Sequence, residues 1–178
     1  MSDQALNDYA TLPAPDTLRF ERLLPGPIER VWAYISEPEK RRLWLAGGTA
    51  ALVPGGHVEL VFRHRELSNG EGPPERYAKY DKEMSLHGVV TKCEPPRLLA
   101  HTWGDNDSEV TFELEPRGER VLLTVTHQRL KDRDAMLSVA GGWHAHLGVL
   151  ADQLEANERR PFWPMLEKLA DDYAARLP

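Results

Sequence analysis

Histidine is the residue type best suited to chemistry in this chain, which contains seven of them. Imidazoles bind transition metals or transfer protons near neutral pH. His144 and His146 are two positions apart in a segment with helical periodicity, which separates them by about 200° around the helix axis, so they cannot bind one ion together. Four others lie on strand-like segments without an acidic partner at ligand spacing: His57, His64, His87 and His101. No metal site is therefore predicted.

Two histidines are predicted to face an apolar interior. His101 shares strand parity with Trp103, and His127 shares it with Val125, because alternate residues of a strand point to the same side. Each imidazole would present a polar group to an apolar pocket, where it would orient a ligand or transfer a proton. The alternative is a buried or rim histidine that bonds to the backbone.

Three tryptophans come from different predicted elements and are expected to converge on one enclosed space. Trp44 belongs to a short helix, Trp103 to a strand in the middle of the sheet, and Trp143 to a long helix. Tryptophan suits a ligand site because it offers a flat apolar face and one N–H donor. The predicted apolar wall also includes Phe62, Phe112, Val125, Val139 and Leu147. The alternative is that these side chains simply fill the core.

Composition and motifs exclude several functional classes. The formal net charge of −6 argues against nucleic acid as a partner, because a phosphate-backbone binder needs a basic surface. Cys93 is the single cysteine, which excludes an intramolecular disulfide. The sequence contains no nucleophile elbow, phosphate-binding glycine loop, zinc-protease helix or dinucleotide fingerprint. No catalytic residue and no cofactor are therefore predicted.

The spacing of apolar residues and the positions of turn-forming residues predict the helices and strands that would position these side chains. Between Thr49 and Leu130, short alternating runs are separated by turn clusters, a pattern typical of an antiparallel meander that is apolar on one face. Two short helices are predicted within Pro27–Trp44, namely Ile28–Tyr34 and a second one that begins at a capping box of Ser36 and Glu39 and ends near Leu45. Strands are predicted at Thr17–Leu24, His57–Glu66, Ser108–Glu115 and Val121–His127, with a long loop at Leu67–Lys82.

A long helix is predicted at Met136–Leu154, with Asp132 or Asp134 as its cap. Its apolar residues recur every three or four positions and form one stripe, which consists of Met136, Val139, Trp143, Leu147, Leu150 and Leu154. Gly141 and Gly142 interrupt the helix pattern, which indicates either space for a ligand, the close approach of another segment, or a helix break. A second helix is predicted at Phe162–Leu177, and its apolar side either closes a homodimer or docks on its own domain.

Three segments are predicted along the chain. Residues 1–16 are a loose polar arm, residues 17–157 form one domain, and residues 158–178 are a helical extension that packs on the domain or on a partner. The chain has no secretory signal and no apolar run of the roughly 20 residues that a membrane span needs. A soluble cytoplasmic protein is the expectation.

Five local strings, taken in their order along the chain, resemble one known family. That family is named for the activator of the heat-shock protein 90 ATPase, and it belongs to the START-like superfamily (SRPBCC, polyketide cyclase and lipid transport). The resemblance covers roughly Thr17 to Leu154, and bacterial members also end with an extra helix. The strings are PIERVW, EPEKRRLWL, VVTKCEPPRLLAHTW, VTFELEPRGERVLLTVTH and GWHAHLGVLADQL.

The resemblance implies an α+β helix-grip fold, in which a curved antiparallel sheet wraps around a long C-terminal helix and leaves a mostly apolar cavity. It implies no cofactor and no common reaction, because members include binding proteins, transporters, cyclases and co-chaperone domains. We expect a small apolar molecule as the partner of this cavity. The alternatives are a cyclase- or hydrolase-type enzyme that uses a pocket histidine, and a co-chaperone-like interaction module. The chain has no counterpart of the separate N-terminal domain of such activators, which argues against the last.

Overall fold

The computed structural model describes residues 9–104 and 107–178, so the first half of the predicted arm lies outside the described residues. The strands are β1 Thr11–Ala14, β2 Thr17–Pro25, β3 Gly47–Ala50, β4 His57–Phe62, β5 Met84–Glu94, β6 Leu98–Thr102, β7 Glu109–Arg117 and β8 Arg120–Gln128. The helices are α1 Ile28–Ser36, α2 Pro38–Arg41, α3 His64–Leu67, α4 Arg133–Glu155 and α5 Phe162–Arg176, with a 3₁₀ helix at Glu75–Tyr80.

The strands form one antiparallel sheet of eight strands in the order β1-β2-β8-β7-β6-β5-β4-β3. Strand β5 joins the two halves of the sheet, and two features bend it there. At Gly88 a Cβ would collide with the carbonyl oxygen of Thr102, so only glycine fits this close approach. Between Val90 and Lys92 the pairing with β6 shifts register, and such bulges increase local bending. The sheet therefore curves toward one face.

Helix α4 lies across this curved sheet. Its N-cap is Asp132, whose Oδ1 accepts a hydrogen bond from the amide of Ala135 at 2.8 Å, as predicted. On the sheet side, the ring of Trp143 lies 5.7 Å from that of Phe112, measured between centroids, and both side chains are buried. The α+β helix-grip fold predicted from the sequence is confirmed.

The other side of α4 is buried as well, because α5 packs against it. His144 and Asp152 are therefore buried although they lie off the predicted apolar stripe, and Asp152 forms a bidentate ion pair with Arg160. Phe162 and Tyr173 of α5 are buried in the same contact. In this structure the apolar side of α5 therefore packs against α4 of its own domain.

Part of the segment predicted as a loose arm is instead a strand. β1 pairs with β2 through Ala14 and Thr17, at the edge of the sheet. Pro13 hid this strand from the sequence pattern, because proline is tolerated in a sheet only at such an edge. The preceding residue Ala10 donates its amide hydrogen bond to the Tyr173 hydroxyl at 2.9 Å. The arm is thus attached to α5.

Three other boundaries differ from the prediction. The capping box does not form, because Ser36 remains inside α1 and its hydroxyl donates to the carbonyl of Trp32 at 2.7 Å. The strand predicted to reach Glu66 ends at Phe62, and α3 begins at His64 and buries Leu67. The predicted long loop contains the 3₁₀ helix.

Candidate ligand-binding site

A cavity of about 130 Å³ lies between the sheet and α4, and we call it the inner cavity. Four of the predicted site residues line it: Phe62, Trp103, Val139 and Trp143. The rest of its lining is Leu45, Ser138, Gly142 and His146. The rings of Trp103 and Trp143 lie 5.2 Å apart between centroids and form one wall. Of the three tryptophans expected to converge, the structure brings Trp103 and Trp143 together at this cavity.

The other six predicted site residues pack in the core and do not line this cavity. They are Trp44, His101, Phe112, Val125, His127 and Leu147, and all of them are buried. Trp44 is fully enclosed and donates its indole N–H to the carbonyl of Tyr34 at 2.7 Å. This bond connects the segment that follows α2 to α1.

His127 lies directly behind the tryptophan wall, and both of its ring nitrogens are bonded. The indole N–H of Trp143 donates to Nδ1 at 3.0 Å, so the proton of the neutral ring is on Nε2, which donates to the hydroxyl of Ser108 at 3.0 Å. Burial lowers the pKa of His127 to about 3. This imidazole orients Trp143 and has no free nitrogen for a ligand.

His101 supports the same wall from the sheet. Its Nδ1–H donates to the carbonyl of Thr102 at 2.8 Å, and its ring stacks on Trp103 at 6.1 Å between centroids. Burial lowers the pKa of His101 to about 4, so the ring is neutral at physiological pH. Both predicted pocket histidines therefore act on the tryptophans rather than on the cavity itself.

A second cavity of about 180 Å³, the outer cavity, lies between α4, α5 and the segment from α3 to the 3₁₀ helix. Its lining consists of His64, Tyr77, Tyr80, Leu137, Ser138, Gly141, Gly142, His146, Phe162, Trp163, Leu166 and Ala170. Aromatic rings contact one another around it, with Phe162 and Trp163 at 5.1 Å and Tyr77 and Trp163 at 6.0 Å between centroids. The sequence analysis did not predict this cavity.

The two cavities meet at α4, because Ser138, Gly142 and His146 line both. A Cβ built on Gly142 would have no heavy atom of another segment within 4 Å, so the missing side chain leaves open space. On Gly141 a Cβ would lie 3.8 Å from Ala170 of α5. Gly142 therefore leaves open space, and Gly141 allows the close approach of α5. The helix break that the sequence also allowed does not occur, because α4 continues through both glycines.

His146 is the polar residue at the junction, and sequence reasoning missed it. Its Nδ1–H donates to the carbonyl of Trp44 at 2.8 Å, and burial lowers its pKa to about 3. The signal that could have found it is spacing, because positions 142 and 146 are four apart and so lie on the same face of a helix. The sequence analysis treats this histidine only as a possible metal ligand together with His144.

His64 was also missed as a cavity residue, since we placed it on a continuous strand. Its ring lies against Phe62 at 5.9 Å and Trp163 at 5.6 Å between centroids. Nδ1 of this ring is buried and has no hydrogen-bond partner among the described residues. Burial lowers the pKa of His64 as well.

Polar contacts hold the segment from α3 to the 3₁₀ helix against α5. The indole N–H of Trp163 donates to the carbonyl of Glu71 at 3.1 Å, and Arg159 donates to the carbonyl of Glu66 at 2.6 Å. Within the segment, Arg65 binds both carboxylate oxygens of Asp81, at 2.7 and 2.9 Å. These contacts fix the aromatic walls of the outer cavity.

The described residues contain neither a metal-binding cluster nor a membrane-spanning helix. In residues 9–104 and 107–178, no three histidine, cysteine or acidic side chains are grouped so that they could hold a metal ion. None of the helices in that part of the chain has the length and apolar character that a membrane crossing requires.

The family model described as "Activator of Hsp90 ATPase homolog 1-like protein" matches residues 25–155. The chain belongs to this family. The match spans α1 through α4 and so includes the whole inner cavity, while α5, which closes the outer cavity, lies beyond it. A search of curated proteins finds no match.

Solved structures share the fold. A protein of Bordetella parapertussis, solved by solution NMR, is 48% identical, with 96% of this chain and 91% of that one covered and a TM-score of 0.83. CalU16 from Micromonospora echinospora is 21% identical, with 90% and 88% covered and a TM-score of 0.67. An Aha1 dimer from Colwellia psychrerythraea is 18% identical, with 78% and 96% covered and a TM-score of 0.59. At such identities the last two support the fold alone.

Proposed function

We propose that this protein binds a small apolar or aromatic molecule in the inner and outer cavities. The observation that carries the proposal is that two cavities walled by aromatic rings meet at Gly142 and His146. Ligand sites in proteins are typically concave, largely apolar and supplied with a few polar groups that orient the ligand. The arrangement around α4 has each of these properties.

The cavity volumes favour a compact ligand. At about 130 and 180 Å³, each cavity is smaller than the roughly 300 Å³ at the lower end of drug-sized sites. A molecule of one or two fused rings matches this size. Its rings would contact Trp103 and Trp143 on one side of α4, or Tyr80 and Trp163 on the other, by the offset or edge-to-face packing that aromatic pairs prefer.

The substitution Gly142→Leu tests this proposal, because its side chain would enter the space that both cavities share. We expect the wild-type protein to bind 2-naphthol saturably with one site and the variant to lose at least tenfold in affinity, measured by isothermal titration calorimetry. The matched control is Asp134→Leu, which adds a leucine to the exposed first turn of the same helix and should bind as the wild type does. Binding unchanged in Gly142→Leu would reject the cavities as the site.

The enzyme alternative rested on His101 or His127 as a proton shuttle. Neither ring lines the inner or the outer cavity, and His127 has both nitrogens bonded. No contact in the described residues favours proton transfer by either imidazole.

The co-chaperone alternative is favoured by the description of the matching family, which names an activator of the Hsp90 ATPase. It predicts that the protein raises the ATPase rate of a heat-shock protein 90 homologue. A coupled ATPase assay with and without the purified chain measures this effect, and an unchanged rate would remove the alternative.

A further inference from the structure

The polar groups of the two cavities restrict which ligands suit them. Among the described residues, no aspartate, glutamate, lysine or arginine lines the inner or the outer cavity. Arg76 and Lys79 instead line a groove that shares Tyr77 and Tyr80 with the outer cavity. An ion inside the cavities would lose its hydration without gaining a counter-charge, so an uncharged ligand is favoured.

His146 offers the cavities a hydrogen-bond acceptor. A neutral imidazole has one N–H and one lone-pair nitrogen. The N–H of His146 is on Nδ1, because that nitrogen donates to the carbonyl of Trp44 at 2.8 Å. Nε2 therefore carries the lone pair, and it has no hydrogen-bond partner among the described residues although the ring lines both cavities.

His64 lies beside His146 in the lining of the outer cavity. Its Nδ1 is buried and has no hydrogen-bond partner among the described residues. The two rings are neighbours, with centroids 6.1 Å apart. Of the two, His146 is the imidazole whose donor is bonded to a backbone carbonyl, which leaves its Nε2 as an acceptor.

We infer that the natural ligand is an uncharged aromatic molecule with a hydroxyl or another hydrogen-bond donor, and that Nε2 of His146 accepts this hydrogen bond. The inference rests on the proposed function, since it names the class of ligand for the same cavities. The rings of the ligand pack against the aromatic walls, and its donor points to the junction at His146.

Two probes of equal ring size separate the hydrogen bond from apolar contact. 2-Naphthol carries a hydroxyl donor, and 2-methoxynaphthalene has the same ring system with the donor removed. A buried acceptor that loses its partner costs more than a neutral hydrogen bond gains, so we expect 2-naphthol to bind the wild type about tenfold more tightly.

The variant His146→Asn isolates the acceptor. An asparagine amide can still donate to the carbonyl of Trp44 from near the Nδ1 position, but it places no atom at the Nε2 position. We expect this variant to lose affinity for 2-naphthol and to keep its affinity for 2-methoxynaphthalene, so that it binds the two probes equally. The matched control is His57→Asn on the exposed start of β4, which should keep the tenfold preference.

A second measurement does not depend on the folding of the variant. In the wild type with ¹⁵N-labelled histidine, 2-naphthol should shift the Nε2 resonance of His146 and 2-methoxynaphthalene should leave it in place. Equal binding of the two probes to the wild type, or an unmoved Nε2 resonance in the complex with 2-naphthol, would overturn the inference. Failure of the wild type to bind either probe would instead overturn the proposed function on which it rests.

Discussion

Three imidazoles are buried in the neutral form, which couples the stability of the protein to pH. Desolvation is the largest cause of the lowered pKa in each case, to about 4 for His101 and to about 3 for His127 and His146. In the unfolded chain each ring would titrate near 6.5. Above about pH 6.5 the three imidazoles therefore make their full contribution to the free energy of unfolding. This contribution is lost as the pH falls from about 6.5 toward the pKa values of the folded protein, because in that range only the unfolded state takes up the protons.

We expect the free energy of unfolding to fall by about 2 kcal/mol for each of these imidazoles between pH 7 and pH 5. Urea denaturation at the two pH values measures the change. His146→Asn removes one of these three rings. Unfolding of this variant should therefore take up about one proton fewer at low pH, and its free energy of unfolding should fall less between pH 7 and pH 5. The same dependence in this variant and in the wild type would contradict the account.

At the residue scale, strand parity was enough to place His101 and His127 on the inner face of the sheet, where both are buried. It could not show that their nitrogens are taken by Thr102, Ser108 and Trp143, because a hydrogen-bond partner is contributed by another part of the chain. The same limit hid His146, whose donor bonds to the carbonyl of a residue about a hundred positions earlier.

At the element scale, Gly142 links the helix to the cavities. Glycine inside a helix is normally unfavourable, and the structure shows what the chain gains from it, namely open space at the junction. The two-glycine pattern signalled that something approaches or occupies this face of α4. It could not distinguish the packing of α5 at Gly141 from the open space at Gly142.

We expect Gly142→Ala to raise the free energy of unfolding by about 1 kcal/mol, because alanine favours the helix and its Cβ meets no other segment. The matched control is Gly148→Ala in the same helix, where a Cβ would lie only 3.3 Å from Sδ of Met165 and the gain should be smaller. Urea denaturation of both variants tests this. A destabilised Gly142→Ala protein would show that the space beside Gly142 is filled.

The location of α5 was also only partly predictable. A helical pattern in the sequence predicts its apolar side, which consists of Phe162, Trp163, Leu166, Leu169 and Tyr173. Such a pattern says that the face is covered but not by what, so a homodimer and intramolecular docking remained open. In the structure the face covers α4, and it thereby supplies Phe162 and Trp163 to the outer cavity.

At the scale of the whole molecule, the fold was predictable because many weak signals agree. Turn clusters, alternation and one long amphipathic helix define a helix-grip topology, and the observed order of strands and helices matches it. The cavities were less predictable, because a cavity is a gap between packed side chains of several elements. Phe62 and Trp103 line such a gap, whereas Phe112 and Val125, on the same inner face, are closely packed.

Isotope-filtered nuclear Overhauser spectroscopy of the labelled protein with unlabelled 2-naphthol tests the central claim most directly. The account predicts cross-peaks from the naphthalene protons either to Trp103 and Trp143 of the inner cavity or to Trp163 of the outer cavity. Cross-peaks confined to exposed apolar residues such as Leu23 and Val89 would contradict it, because they would place the ligand on the outside of the sheet.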